Sequence, residues 1–329
     1  MKYLITGASG HVGKCLVDTL LKQNASIRVL VLPGEVYQYK GVEITYGDVT
    51  KKETLIPFFI NEDKEDLILI HLAAIISIFQ KGNPRVRLVN VIGTQNVMDL
   101  ALSNNVKKVI HVSSVHALSQ GDKNHLFKEQ TIFYPERVNG QYAKSKAEAN
   151  NYVMSLIHKD LPAIIVHPSG IIGPYDDGHS HLVALLMEYF NGKLTSIVKG
   201  GYDFVDVRDV VDGILKAVDK GRVGECYILS NRYYSIQEIL NIASEVTGKK
   251  PIKRVLPSWF VKIFAPIAEI WYKIRKKTPL FTKYAISTIN SKERFSHEKA
   301  DKELDYTNRD IKNTVKSTYD YLKNNDAIK

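Results

Sequence analysis

Thr6-Gly7-Ala8-Ser9-Gly10-His11-Val12-Gly13 lies between a short apolar run, Tyr3-Leu4-Ile5, and Lys14-Cys15-Leu16-Val17-Asp18-Thr19-Leu20-Leu21, whose apolar residues recur at helical spacing. The order is strand, glycine turn, helix, the context in which such a turn can seat a pyrophosphate. Gly7 permits a tight turn, Gly10 lets the backbone approach a phosphate, and Gly13 lets the helix pack close to the strand. The helix N–H groups and its positive dipole end would face the anion. Ala8, Ser9, His11 and Val12 complete the turn and belong to the same candidate site. A glycine triplet decides little alone, and the strands and helices downstream of it must agree.

Residues 26–32 are β-branched and apolar, a second strand. An acidic residue about 20 positions after the glycines would bind an adenosine ribose hydroxyl. Here the chain reads Leu32-Pro33-Gly34, with neither acid nor arginine, and Glu35 comes next. Lack of the acid removes a repulsion against a 2′-phosphate and tilts the expectation toward NADP(H) over NAD(H). Residues 42–46 alternate as a third strand and run into Gly47-Asp48-Val49. Asp48 is either an acceptor for an adenine amino group or a solvated strand-end aspartate. Thr50 with Glu53 has the pattern of a capping box.

Residues 66–74 form a continuous apolar run, as a buried parallel strand requires. Leu72, Ala73 and Ala74 stand at its carboxyl end, where ligands bind in such sheets, and the alanines leave room. Asn83-Pro84 starts a helix. Asn90 falls inside it, where a polar side chain more often packs than reacts. Residues 108–112 are a fifth strand ending in Ser113-Ser114, and after a loop Tyr142-Ala143-Lys144-Ser145-Lys146 opens another helix. Tyr142 and Lys146 share one face of it. A sixth strand at 163–166 precedes His167-Pro168-Ser169-Gly170. The alternation builds an α/β fold with a doubly wound parallel sheet. Ser235 with Glu238 caps a later helix.

The balance of 44% hydrophobic and 24% charged residues is that of a globular protein. No apolar run is long enough to cross a bilayer, and the first strand at residue 2 leaves no room for a signal peptide, so a cytoplasmic location is expected. Cys15 and Cys226 read as small core residues. The net charge of +10 suits an anionic ligand such as a phosphorylated cofactor, and no nucleic-acid partner is expected. Gly178-His179-Ser180-His181 reads as a loop and helix cap, with no metal. Residues 257–277 form a basic amphipathic stretch, kinked by Pro266, suited to a lid or to weak peripheral membrane contact.

Ser114, Tyr142 and Lys146 together carry chemistry. A phenol with a reference pKa near ~10 is a poor base at neutral pH, and a neighbouring ammonium and a nicotinamide cation would lower it. Tyr142 would then exchange a proton with a substrate oxygen, Lys146 would also hold the ribose, and Ser114 would polarise the carbonyl.

The glycine turn, Gly47-Asp48, His71-Leu72-Ala73-Ala74, Asn90-Val91-Ile92-Gly93-Thr94, Val112-Ser113-Ser114, Tyr142-Ala143-Lys144-Ser145-Lys146 and Asp206-Val207-Arg208-Asp209 resemble the extended short-chain dehydrogenase/reductases. Within that group, residues 167–174 and 200–209 look like the branch with dihydroflavonol reductases and 3β-hydroxysteroid dehydrogenases. The resemblance implies a Rossmann-like sheet with a smaller, interleaved C-terminal substrate-binding region. Residues 1–170 would bind NAD(P), with 203–232 packing back onto them, and 171–202 and 233–329 would form the substrate-binding or lid region. It assigns Ser114, Tyr142 and Lys146 to catalysis. It places Gly7, Ser9, Gly10, His11, Val12, Asp48, Val49, Leu72, Ala73, Pro168 and Ser169 around the cofactor. A homodimer through helices at 83–104 and 141–159 is expected by the same analogy. His116 departs from the pattern and either touches substrate or packs the loop. The expected activity is hydride transfer between a nicotinamide cofactor and a small carbonyl or alcohol substrate. A nucleotide-sugar epimerase or dehydratase and a non-catalytic cofactor sensor are the alternatives.

Overall fold

The computed structural model describes residues 1–37, 39–76, 83–119, 121, 126–177, 180–257, 288–291 and 293–328. Seven strands make one sheet: β1 (Lys2–Thr6), β2 (Ser26–Val31), β3 (Glu43–Tyr46), β4 (Leu67–His71), β5 (Lys108–Val112), β6 (Ala163–Pro168) and β7 (Cys226–Leu229). Their spatial order is β7-β6-β5-β4-β1-β2-β3, and every neighbouring pair is parallel. The chain starts in the middle, winds out through β2 and β3, then returns to β4 on the other side. The direction of winding reverses between β1 and β4, and the carboxyl ends there open a crevice.

Burial follows the two-residue period of a strand. Leu4, Leu69, Val109, Ile165 and Ile228 belong to the core on one face; Ile5, Ile70, Ile110, Val166 and Leu229 belong to that on the other. Because helices cover both faces, β4 is buried at every position. The helix Gln141–Ile157 packs on the first face, and the helices His11–Lys22 and Val207–Lys220 pack on the second and against each other.

The expected strand ends and caps are largely present. Asn83 accepts from the Arg85 amide with Pro84 in the first turn, and Ser235 accepts from the Glu238 amide at 3.0 Å. Ser180 caps the helix His181–Phe190. The capping box expected at Thr50 and Glu53 does not form. Thr50 gives both its amide and its hydroxyl hydrogen to Asp48 Oδ1, each at 2.9 Å, and the 3₁₀ helix Lys52–Phe59 begins without a side-chain cap. The nearer acceptor wins, since an Asx turn closes over two residues.

After Gly170 most of the chain's strands leave the main sheet for smaller ones. Gly170–Ile172, Gly201–Asp206 and Arg232–Ser235 form a three-stranded sheet, and Leu126–Phe127 pairs with Arg294–Phe295. The Asp206-Val207-Arg208-Asp209 stretch is a structural joint. Asp206 caps the helix Val207–Lys220 and takes a bidentate pair from Arg208, while Asp209 accepts from Arg309. His179 and, beyond residue 257, the basic stretch with Pro266 lie outside the described residues.

Candidate active site

The glycine turn sits at the reversal point. Gly7 has φ +73°, and a Cβ there would stand 2.7 Å from the Ala73 amide nitrogen, so no other residue lets β1 and β4 end so close together. A Cβ on Gly13 would meet the Gly7 carbonyl at 2.2 Å, whereas at Gly10 only that same carbonyl comes near, at 3.4 Å. The helix His11–Lys22 starts without a side-chain cap. An open glycine and an uncapped helix N-terminus fit a dinucleotide pyrophosphate.

Ala8 is buried in the turn, and Leu72, Ala73 and Ala74 form the half-buried loop after β4 on the opposite side. The His11 imidazole points away from the turn, with Nε2 2.8 Å from the Pro174 carbonyl and Nδ1 3.8 Å from Asp176. Asp48 is the strand-end aspartate of the Thr50 turn, and Val49 packs where Gly93 has no side chain. Pro168 ends β6, and Ser169 donates its hydroxyl hydrogen to the buried carboxylate of Asp203 at 2.6 Å.

Ser114, Tyr142 and Lys146 come together, all buried, where β5 and the helix Gln141–Ile157 meet. The Ser114 side chain lies close enough to the Tyr142 phenol to pull its pKa down. The Lys146 ammonium donates to the Val112 carbonyl at 2.8 Å. Burial pushes the Tyr142 phenol up to about 12, against a smaller downward pull from Ser114, and lowers the Lys146 ammonium to about 8. The expectation that Lys146 depresses the Tyr142 phenol is therefore not met by the protein's own groups. Desolvation outweighs the pull of Ser114, and the ammonium is turned toward a backbone carbonyl. At neutral pH Tyr142 is a protonated acid beside a charged lysine.

A hydrogen-bond chain that no local sequence pattern marks holds this arrangement. Thr94 donates its hydroxyl hydrogen to the Asn90 carbonyl at 2.8 Å, so at 3.0 Å it must accept from His71 Nε2–H. His71 Nδ1 is then the acceptor for the Thr6 hydroxyl at 2.8 Å, and Thr6 in turn accepts the Ala73 amide at 3.2 Å. The polarity of the whole chain and the tautomer of His71 follow from one hydroxyl. Burial, helped by Lys146, keeps His71 neutral by lowering it to about 3. Asn90 joins the loop after β4 to the helix Gln141–Ile157. It accepts the Ile75 amide at 2.7 Å and donates to the Ile75 carbonyl and to Ser145, both at 3.0 Å. Asn90 is thus the packing residue its mid-helix position suggested, inside a π-helical segment, Leu88–Gly93. The sequence signal for His71 is a lone polar residue inside the apolar run 66–74; the strand itself closes at His71, short of the expected Ala74.

Comparison with known proteins agrees with this geometry. Residues 3–233 match the NAD dependent epimerase/dehydratase family. Sterol demethylase protein B of Methylococcus capsulatus is 30% identical over 92% of this chain and 93% of its own length. A putative dihydroflavonol 4-reductase of Synechocystis sp. is 25% identical over 99% of this chain and 96% of its own. The crystal structure of gox2253 superposes with a TM-score of 0.83 at 30% identity, covering 99% of each chain.

Proposed function

This chain belongs to the NAD dependent epimerase/dehydratase family and is an enzyme of the extended short-chain dehydrogenase/reductase type; from that premise we propose that it reduces a carbonyl compound, or oxidises the matching alcohol, with Ser114, Tyr142 and Lys146 as its catalytic residues. The observation that carries the proposal is the burial of Ser114, Tyr142 and Lys146 together, with Tyr142 and Lys146 one turn apart on the helix Gln141–Ile157 and Ser114 acting on the Tyr142 phenol. A bound nicotinamide would supply the hydride. Ser114 would donate to the substrate oxygen and polarise the carbonyl. Tyr142, held protonated by burial, would release its proton to that oxygen as negative charge develops there. The Lys146 ammonium would favour the resulting phenolate.

Gly7, Ala8, Ser9, Gly10 and Val12 would hold the pyrophosphate, and Leu72, Ala73, Ala74, Pro168 and Ser169 would line the nicotinamide side. NADP(H) is favoured over NAD(H), because Leu32 at the end of β2 is 46% exposed where a carboxylate would repel a 2′-phosphate. The names of two relatives, for a sterol and a dihydroflavonol, support a polycyclic substrate.

The test is to denature the purified protein, identify any released nucleotide by mass spectrometry, and follow oxidation of NADPH and NADH with a panel of ketones. Turnover of a ketone by protein that retains no stoichiometric nucleotide is the expected result. Stoichiometric NAD⁺ with no net ketone reduction would replace the proposal by an epimerase or dehydratase that returns the hydride to its own product.

A further inference from the structure

Thr6, His71 and His111 follow Leu4, Leu69 and Val109 by two residues, so they stand side by side on the sheet face that the helix Gln141–Ile157 covers. His167 joins them on β6, two residues beyond Ile165, the partner of His111. On the helix, Asn150 comes one turn after Lys146, as Lys146 comes one turn after Tyr142. His71 is satisfied at both ring nitrogens, by Thr6 and Thr94. Its neighbours are not. His111, Asn150 and His167 are fully buried. Among the described residues, neither ring nitrogen of His111, neither polar atom of the Asn150 amide, nor His167 Nε2 has a hydrogen-bond partner. His167 Nδ1 lies 3.2 Å from the Ser114 carbonyl and must donate to it, which leaves Nε2 a bare acceptor. These groups are close together. Asn150 and His167 both act on the His111 imidazole, and the Lys146 charge, after burial, lowers His71, His111 and His167. The titratable groups around Lys146 are thus three neutral imidazoles on β4, β5 and β6 and the protonated Tyr142 on its own helix. Lys146 carries the only charge among them.

We propose that His111, Asn150 and His167 enclose an internal water site behind Lys146, and that water held there keeps the lysine charged during turnover. The role in turnover rests on the reductase reading above; the site itself does not. The protein cannot close this set alone. The two nitrogens of an imidazole point to different edges of the ring, so Asn150 can serve only one of them at a time. The other nitrogen and His167 Nε2 still need a partner, and a buried polar group without one is costly. A buried water makes about three hydrogen bonds to groups of this kind. It can donate to His167 Nε2 and to the unprotonated nitrogen of His111, and accept an N–H of Asn150. Its dipole also restores part of the hydration that burial takes from the ammonium, which favours the charged form of Lys146.

A crystal structure of the full chain at about 1.5 Å resolution should show a water within about 3.2 Å of a His111 ring nitrogen or His167 Nε2 and of the Asn150 amide. Absence of any such water overturns the proposal. The second measurement is the Lys146 midpoint, read from the NMR shift of labelled lysine Cε and from the pH profile of kcat with a ketone. Asn150→Leu keeps the volume but offers water no partner. It should move the midpoint down by about one pH unit and lower the ratio of kcat at pH 8 to kcat at pH 6 by about fivefold. Asn150→Ser, with a hydroxyl and room for a further water, should stay within about 0.3 unit of wild type. Equal midpoints in wild type and Asn150→Leu, or Asn150→Ser displaced as far as Asn150→Leu, overturn the proposal. Should Asn150→Leu not fold, His111→Phe takes its place with the same expected shift. If wild type reduces no ketone, the reductase reading fails separately, and the crystallographic water and the NMR midpoint still decide the site.

Discussion

Between Lys2 and Pro168 the three imidazoles on strands β4, β5 and β6 are buried and kept neutral, whereas beyond Gly170 the buried carboxylates Asp206 and Asp209 are paired with arginines. His71, His111 and His167 stand on the adjacent strands β4, β5 and β6, with His71 and His111 in register and stacked at 5.6 Å. Burial lowers all three, His71 to about 3 and His167 to about 4. In the second region Arg208 grips Asp206, and Arg309 reaches Asp209 and Asp212 from about a hundred residues away. Lys14 and Asp177, 2.9 Å apart, join the two regions beside the glycine turn. The difference teaches which part can be altered separately. The parallel sheet keeps its neutral imidazoles buried and shares an apolar core with the helix Val207–Lys220, while the later region ties its own distant elements together through ion pairs.

The largest expected effect breaks the chemistry and leaves the scaffold. Tyr142→Phe should lower kcat by about 10³-fold, while the cofactor Kd from titration changes less than about threefold. A collapse of cofactor binding on the same scale would make Tyr142 a packing residue and erase the distinction between the two regions.

Acid titration sharpens the contrast next. His71, His116 and His167 have folded-state values well below the ordinary range, so the unfolded chain binds more protons once pH falls below ~6.5. Their stabilising contribution is complete above that pH and is lost progressively toward about 4 and below. Thermal unfolding should shift down by about 10 °C between pH 7 and pH 5. A Tm that is flat over this range would mean that the imidazoles are not held neutral.

Arg309→Ala should act on the second region alone. It leaves Asp209 buried without its partner, but Arg309 itself is 38% exposed, so the expected loss is about 2 kcal/mol, below that for a fully buried pair. Limited proteolysis around the helix Ile311–Asn324 should accelerate before the cofactor is released. Simultaneous loss of both would show that the two regions unfold as one.

The smallest effect lies on the alkaline side. Burial lowers Lys146 to about 8, and in the proposed mechanism its charged form would favour the phenolate formed on Tyr142 during turnover. The reduction rate should therefore fall by about fivefold from pH 8 to pH 9, a limb that a pH–rate profile would show directly.

Local pattern was enough for the turn at Gly7–Gly13, the buried strand within 66–74 though not its end at His71, the caps at Asn83 and Ser235, and the shared face of Tyr142 and Lys146. Each depends on spacing within one element, which backbone geometry converts directly into position. The capping box at Thr50 failed because two acceptors competed within a few residues and spacing alone could not rank them. The direction of the Tyr142 shift escaped sequence reasoning for a different reason. A neighbouring lysine is visible in a sequence, but the depth at which it and the phenol are buried is not.

By itself, then, the sequence determined the doubly wound sheet, the glycine turn and the serine, tyrosine and lysine of the candidate site, because these arise from short-range periodicity and from glycine positions that only one backbone path satisfies. Only the tertiary structure decided the tautomer of His71, the joint between Asp209 and Arg309, and the stacking of His116 on Tyr202. Those contacts join residues 23 to 100 positions apart, and their energies depend on distance, orientation and exclusion of water, which exist only after the chain has closed on itself.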